Sequence, residues 1–210
     1  MNLGSLIQQG GIFMIPLLGL SILALAVIFE RALYFANLEW GGPRLRAQLT
    51  TMLGAGQQAE ALAWLSRLKG PIPNTAIAGL SKWGKGRRAV ENAMISQSHR
   101  EQGQLHRFLA VLETTVTASP LIGLLGTITG MMGVFRAVSL KMSSNPQADT
   151  TGILAGIGEA LIATAAGILI AVVCLFFHNM YQRFAEQQMD ATQDVANLLT
   201  ELVDEDVSGG

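Results

Sequence analysis

Three long runs without a charged residue govern what this chain can fold into. Gly10 to Phe29 is twenty uncharged residues closed by Glu30 and Arg31, and Thr114 to Phe135 is twenty-two closed by Arg136. Ala160 to Phe177 is eighteen, and this run extends back to Thr151 once Glu159 is admitted. At about 1.5 Å per residue, each is long enough to carry a helix across a hydrocarbon core of about 30 Å. A buried helix of a soluble protein could account for one such run, but not readily for three in 210 residues. Charged residues make up only 14% of the chain, against about 25% in soluble domains, so there is too little polar surface to face water all round. The reading is an all-α integral membrane protein with three transmembrane helices and long cytoplasmic helical extensions. Pro16 and Pro120 do not oppose it, because neighbouring helices can satisfy the backbone groups that a proline frees.

The same counts exclude other classes. Lys plus Arg is 14 against 15 for Asp plus Glu, which leaves no basic excess for nucleic acid. Cys174 is the single cysteine, so there is no internal disulfide. No glycine cluster between a strand and a helix carries the lysine that a phosphate cradle needs. His99, Glu101 and His106 are spaced i, i+2, i+7 and do not share one helix face, so they make no metal site. His178 reads as an interfacial residue at the end of the third run. Nothing points to an enzyme or a cofactor.

Topology follows from the basic residues. The first run has no Lys or Arg before it and no small-residue cleavage site after it, so it reads as an uncleaved membrane helix rather than a signal peptide. Between residues 36 and 107 lie Arg44, Arg46, Arg67, Lys69, Lys82, Lys85, Arg87, Arg88, Arg100 and Arg107, whereas the loop after Phe135 holds only Arg136 and Lys141. The excess of positive charge places the long segment and the tail in the cytoplasm and the N-terminus outside. The expected order is a short outer N-terminus (1–9), a membrane helix (10–35), a cytoplasmic helical segment (36–110) and a second membrane helix (111–135). An outer loop (136–150), a third membrane helix (151–178) and a cytoplasmic helical tail (179–210) complete it. Within the cytoplasmic segment, Trp40 to Pro43 marks a break, Leu45–Leu53 and Gln57–Leu68 read as helices, and Pro71 and Pro73 punctuate again. From about Arg88 a helix is expected to run unbroken into the second membrane span. The tail repeats apolar residues at Val195, Leu198, Leu199 and Leu202, which is helical spacing.

The second and third runs are rich in small residues. From Thr151 to Gly167, nine of seventeen residues are Gly or Ala. Small residues in lipid are used where helix backbones approach closely. Gly126 with Gly130 and Gly152 with Gly156 form Gly-x-x-x-Gly pairs, and with Gly167 they mark the second and third helices as a tight pair, leaving helix one against lipid. Glu159 is the sharpest residue, since a charge deep in the bilayer costs roughly 2.5–3.5 kcal/mol and must face an interior or water. It reads as an ion-pathway carboxyl. Thr127 and Thr164 lie at similar depth, Thr127 on a face shared with Glu113 and Pro120. A back-bond to its own helix is the plainer role for a membrane threonine. Glu159 and Thr164 are about 140° apart around an ideal helix, so from one subunit they do not both point down one narrow pore, whereas a ring of several subunits would let them line adjacent parts of a shared interface.

At this point the sequence resembles a known family. SPLIGLLGTITGM (119–131) is similar to the second-helix signature of the ExbB/TolQ/MotA proton-channel family, and GIGEALIATAAG (156–167) to the third-helix signature of its ExbB/TolQ branch. The resemblance covers essentially the whole chain, except that 36–107 is more divergent. It implies that Glu159 is the family's third-helix glutamate and that Thr127 and Thr164 are its two pore threonines. It further implies a homopentameric ring in the bacterial inner membrane around an ExbD-like single-helix protein that brings an aspartate, with a TonB-like protein as a further partner. The implied role is an ExbB-like subunit of a motor driven by the proton-motive force, the alternatives being a TolQ-like envelope-integrity subunit, a small channel or a scaffold.

Overall fold

The computed structural model describes residues 11–38, 41–142 and 151–208. All regular structure among them is helical. α1 spans Met14–Ala36, α2 Gly42–Gly54, α3 Gln58–Leu65, α4 Pro71–Leu80, α5 Arg87–Leu105, α6 Leu109–Met142 and α7 Thr151–Ser208, with a single 3₁₀ turn at Trp83–Lys85. Three stretches are long and apolar enough to cross a membrane, one in α1, one ending in α6 and one in α7. The chain divides into two compact units, Met1–Glu30 with Phe108–Asn179 and Arg31–Arg107 with Met180–Gly210.

The first unit contains the membrane-spanning parts of α1, α6 and α7. Its distribution of residue types is the reverse of a water-soluble bundle. Ile15, Ile22 and Phe29 on α1, Leu121, Met132 and Phe135 on α6, and Leu161, Leu169 and Phe176 on α7 are all exposed. Thr115 and Ser119, by contrast, are completely buried. Apolar side chains turned outward need a hydrocarbon solvent, and hydroxyls turned inward need protein partners. Within this unit the buried positions of α1 are Met14, Leu17, Ala24 and Val27, which fall on a single stripe. On α7 the stripe runs Ala160, Ala163, Gly167, Ala171 and Cys174, the three- and four-residue spacing of one helix face.

The second unit packs α2 to α5 and the distal half of α7 around one apolar core. Leu45 and Leu49 of α2, Leu65 of α3, Ile72 and Ala76 of α4, and Val90 and Met94 of α5 meet Val195, Leu199 and Val203 of α7. The tail repeat at Val195, Leu198 and Leu199 is therefore a core stripe. Pro71 and Pro73 punctuate the chain as expected, though not by leaving a gap. Pro71 is the first residue of α4, where its missing N–H costs no helical hydrogen bond and its fixed φ suits the turn. Gly70 before it has φ 132°, a conformation that a side chain would strain. One expectation needs correcting, since the helix from about Arg88 does not run unbroken into the second span. α5 ends at Leu105 and α6 begins at Leu109, with Phe108 between them at φ 64°. A left-handed residue cannot propagate a right-handed helix, so the chain turns there. Trp40 of the expected Trp40–Pro43 break lies outside the described residues, while Pro43 sits in the first turn of α2.

Candidate functional site

The small residues of α6 and α7 meet face to face. A Cβ built on Gly126 would come within 3.0 Å of Ala163 Cβ, and one on Gly130 within 2.9 Å of Ala160 Cβ. A Cβ on Gly156 would come within 2.7 Å of Val134 Cγ2. Real Cβ atoms essentially never come under 3.0 Å, so the contacts at Gly130 and Gly156 exist only because those positions carry hydrogen, and the one at Gly126 stands at that limit. At Gly167 a Cβ would run into the main-chain carbonyl oxygen of Ser119. Gly152 lies on α7, where the surroundings of residues 151–155 are outside the described residues.

Gly123, which the sequence reading passed over, lies against the main chain of α7 at Thr164. A Cβ there would meet the Ala163 carbonyl oxygen and the Thr164 Cα, each at 2.9 Å. Backbone therefore lies against backbone, and a polar contact becomes possible. Thr164 Oγ1 donates to the Gly123 carbonyl oxygen at 2.8 Å, a bond between α7 and α6. The signal for Gly123 was its place three residues before Gly126 and seven before Gly130, the 3,4 spacing of one face.

Thr127 behaves differently. Its hydroxyl donates to the Leu124 carbonyl of its own helix at 2.7 Å, the local bond that a membrane threonine ordinarily makes. One turn and two turns below Gly123, toward the start of α6, come Ser119 and Thr115. Thr115 donates to the Val111 carbonyl at 2.8 Å. Ser119 Oγ is buried and has no hydrogen-bond partner. Ser119 is the second residue that sequence reasoning missed, because a serine before a proline reads as local structure only. Glu113, on the Thr127 face, is exposed, and its carbonyl accepts from Thr117 at 3.2 Å.

The side chain of Glu159 lies outside the described residues, but its helix position is fixed by its neighbours. The α7 stripe that packs on α6 runs through Gly156, Ala160, Ala163 and Gly167. On an ideal helix, position 159 falls about 70° to one side of that stripe and position 164 about 70° to the other. Two of the three residues considered for a metal, His106 and Glu101, have other partners in the second unit. His106 Nδ1 is 3.0 Å from the Gln102 carbonyl, and Glu101 accepts from Asn74 and Gln97.

Residues 67–194 match the family described as MotA/TolQ/ExbB proton channel. That match includes both α6 and the Gly156–Gly167 stripe. The chain is 31% identical to the biopolymer transport protein ExbB-like 3 of Synechocystis sp. over 187 residues, 89% of this chain and 88% of that one. It is 29% identical to the biopolymer transport protein exbB1 of Vibrio cholerae over 201 residues, 93% of this chain and 86% of that one. A shorter match, 35% over 97 residues, is to the Tol-Pal system protein TolQ of Pseudomonas aeruginosa, covering 46% of this chain and 40% of that one.

Proposed function

The chain belongs to the MotA/TolQ/ExbB proton channel family, and on that premise we propose that it is the ring-forming, ExbB-like subunit of an inner-membrane motor driven by the proton-motive force. In this reading several copies, five by resemblance, enclose the membrane helices of an ExbD-like partner. The N-terminus is periplasmic and the tail cytoplasmic. A TonB-like protein then carries the work across the envelope. Relatives named as biopolymer transport proteins support the ExbB-like role over most of the chain. The TolQ match is shorter but reaches 35% identity, and it keeps an envelope-integrity motor as the second reading.

The observation that carries the proposal is the bond from Thr164 to Gly123 within a seam of hydrogen-only contacts. A seam so close fixes where α7 presents its two flanks. On an ideal helix, position 159 falls on one flank of the stripe and Thr164 on the other. Glu159 is the only carboxyl within the three apolar runs. Proton movement is driven by about 2.3 kcal/mol per charge for each 100 mV of membrane potential, plus the pH gradient. The partner's aspartate accepts the proton, and its neutral form passes the apolar interior at lower cost than the charged one. Glu159, Thr127 and Thr164 line that path.

The test is proton flux into liposomes under a set potential, for this chain with and without its co-encoded single-helix partner. Partner-dependent flux that is lost in Glu159→Gln is the expected result. Unchanged flux in that variant would remove Glu159 from the path, and no flux in any combination would overturn the motor reading.

A further inference from the structure

Charge in the second unit is sorted by segment. From residue 61 to residue 90 the chain carries six basic residues and no acid, and after Arg183 it carries seven acids and no base. Four of those acids, Glu186, Asp190, Asp194 and Glu201, are exposed on α7. On an ideal helix they fall within about 80° of one another. They stand nearly opposite the buried stripe of Gln188, Thr192, Val195 and Leu199. The outward face of α7 is thus an acidic stripe, and among the described residues none of these four carboxylates forms an ion pair. Arg67, Lys69, Lys82, Lys85 and Arg88 are also exposed and also without an ion pair among the described residues, whereas Arg87 is paired with Glu91.

The two sets lie across the same core from each other and at matching levels. α4 packs on the buried face of α7 and runs in the same direction, since Gly42, Ile72 and Ala191 converge at one level and Gly79, Met94 and Leu199 at the next. Arg67 and Lys69 come just before α4, near the level of Asp190, and Lys82, Lys85 and Arg88 come just after it, near the level of Glu201. Beside the acidic stripe a groove runs between α5 and α7. Gln193, Asn197 and Glu201 line its α7 side, and Ile95, an exposed large apolar residue, lines its α5 side.

The surface that complements this acidic face is carried by the same chain. Contact between two different patches of identical chains is heterologous, and it closes into a ring when the rotation between copies closes. Rotation about an axis along α7 keeps every residue at its own level, so complementary patches must match in height, as these do. We propose that the acidic outward face of α7 is the docking surface for the basic 67–88 side of a neighbouring copy, with Asp190 set against Arg67 and Lys69 and Glu201 against Lys82, Lys85 and Arg88. The inference rests on the ring-forming reading and adds to it a cytoplasmic contact that sets the register of neighbouring copies. Exposed ion pairs contribute little by themselves. Here Ile95 and the groove supply the apolar part of the contact, and the charges steer the copies together and reject a wrongly turned one.

Cysteine cross-linking reads the contact directly. In a Cys174→Ala background, the full chain with Glu201→Cys is co-expressed with the full chain with Lys82→Cys, and a short bis-maleimide is added to the membranes. The expected result is a cross-linked dimer from the mixture and little from either variant alone, because a heterologous contact joins unlike patches. Charge reversal tests the cause. Asp190→Lys with Glu201→Lys, or Lys69→Glu with Lys82→Glu, should weaken association by about tenfold in a dilution series followed by native mass spectrometry, since like charges then oppose each other. All four changes in one chain should restore it. These side chains are exposed, so the fold is kept. A ring by mass that gives no mixed cross-link, or association unchanged by either reversal, would overturn this inference alone. Reversals that leave the ring intact but release the single-helix partner would assign the acidic face to that partner and overturn it as well. A wild-type chain that is a monomer by mass would overturn the ring reading and this inference with it.

Discussion

Thr164 on α7 donates its hydroxyl to the main-chain carbonyl of Gly123 on α6, 2.8 Å away and forty-one residues distant in sequence. The bond is possible only because Gly123 has no side chain, since a Cβ there would lie 2.9 Å from the Thr164 Cα. The residue that carries a proposed pore hydroxyl is thus also a clasp between two membrane helices.

The clasp and the pathway role of Thr164 separate under substitution. Thr164→Val keeps the shape and removes the donor, and Thr164→Ser keeps the donor and removes a methyl. An interhelical hydrogen bond in a membrane protein contributes about 0.6 kcal/mol on average and up to about 1.7. Thr164→Val should therefore lower the thermal midpoint of the detergent-solubilised protein only slightly, with Thr164→Ser close to wild type. A pathway role predicts a much larger loss of proton flux in Thr164→Val, restored in Thr164→Ser. Equal, small effects on flux in both variants would leave the clasp as the whole role.

The glycines of α6 divide sharply by what surrounds them. At Gly123 an added methyl meets backbone, which cannot rotate away, whereas at Gly133 nothing lies within 4 Å. Gly123→Ala should force the two helices apart and cost about 1–3 kcal/mol, as overpacking does. Gly133→Ala should stabilise by roughly 0.5–1 kcal/mol, because alanine loses less backbone freedom in a helix. Opposite signs in thermal unfolding are the prediction, and a shared sign would mean that the seam is not where these contacts place it.

Membrane architecture was legible in the sequence because hydrocarbon imposes a length rule that three uncharged runs satisfy without any tertiary information. The small-residue pairing of α6 and α7 was legible for a related reason, since close backbones need missing side chains. Gly123 was only partly legible, through its spacing with Gly126 and Gly130, and Ser119 was not, although both stand inside the SPLIGLLGT stretch. The importance of Gly123 comes from Ala163 and Thr164 across the seam, and that of Ser119 from a bond it fails to make. Neither fact exists until a partner helix is in register. The turn at Phe108 was missed because no glycine or proline announces it. In α4 the prolines announced a boundary whose direction the sequence left open, the start of a helix rather than a gap.

Arg31 shows how a charge can be kept inside the second unit. It is only 2% exposed, donates from Nη1 to the Gln104 carbonyl at 2.9 Å, and lies 4.4 Å from the centre of the Tyr34 ring. Gln104 is in the last turn of α5, where its carbonyl also accepts the Arg107 N–H at 3.3 Å and where a cation is favourable. Arg31→Met keeps the length of the side chain but removes the donors and the charge, and should cost about 1.5–3 kcal/mol, the range for a hydrogen bond to a charged group. Arg31→Lys retains a charge but not the flat guanidinium that lies over the ring, and should fall between. Thermal unfolding of the three proteins checks the order. A lysine variant no better than methionine would assign the stability to the planar contact rather than to the charge.

Glu101 is the buried carboxylate of the same unit, 7% exposed. One of its oxygens accepts from Asn74 Nδ2 of α4 at 2.9 Å and from Gln97 Nε2 of its own helix at 2.7 Å. The first of these bonds ties α5 to α4, and the second orients the carboxylate along α5. Glu101→Ala should cost about 1–3 kcal/mol, because two amide donors are left competing for whatever water reaches them. Glu101→Gln keeps a carbonyl oxygen that can accept both, so its loss is limited to the charge-assisted part of the bonds, which makes them roughly twice as strong as neutral ones. A double-mutant cycle between Asn74→Ala and Glu101→Ala isolates the tie between the helices, and residues in contact of this kind couple by about 0.5–3 kcal/mol. Additive losses in that cycle would show that Asn74 and Glu101 stabilise α4 and α5 independently, and that the bond between them contributes nothing to holding the two helices together.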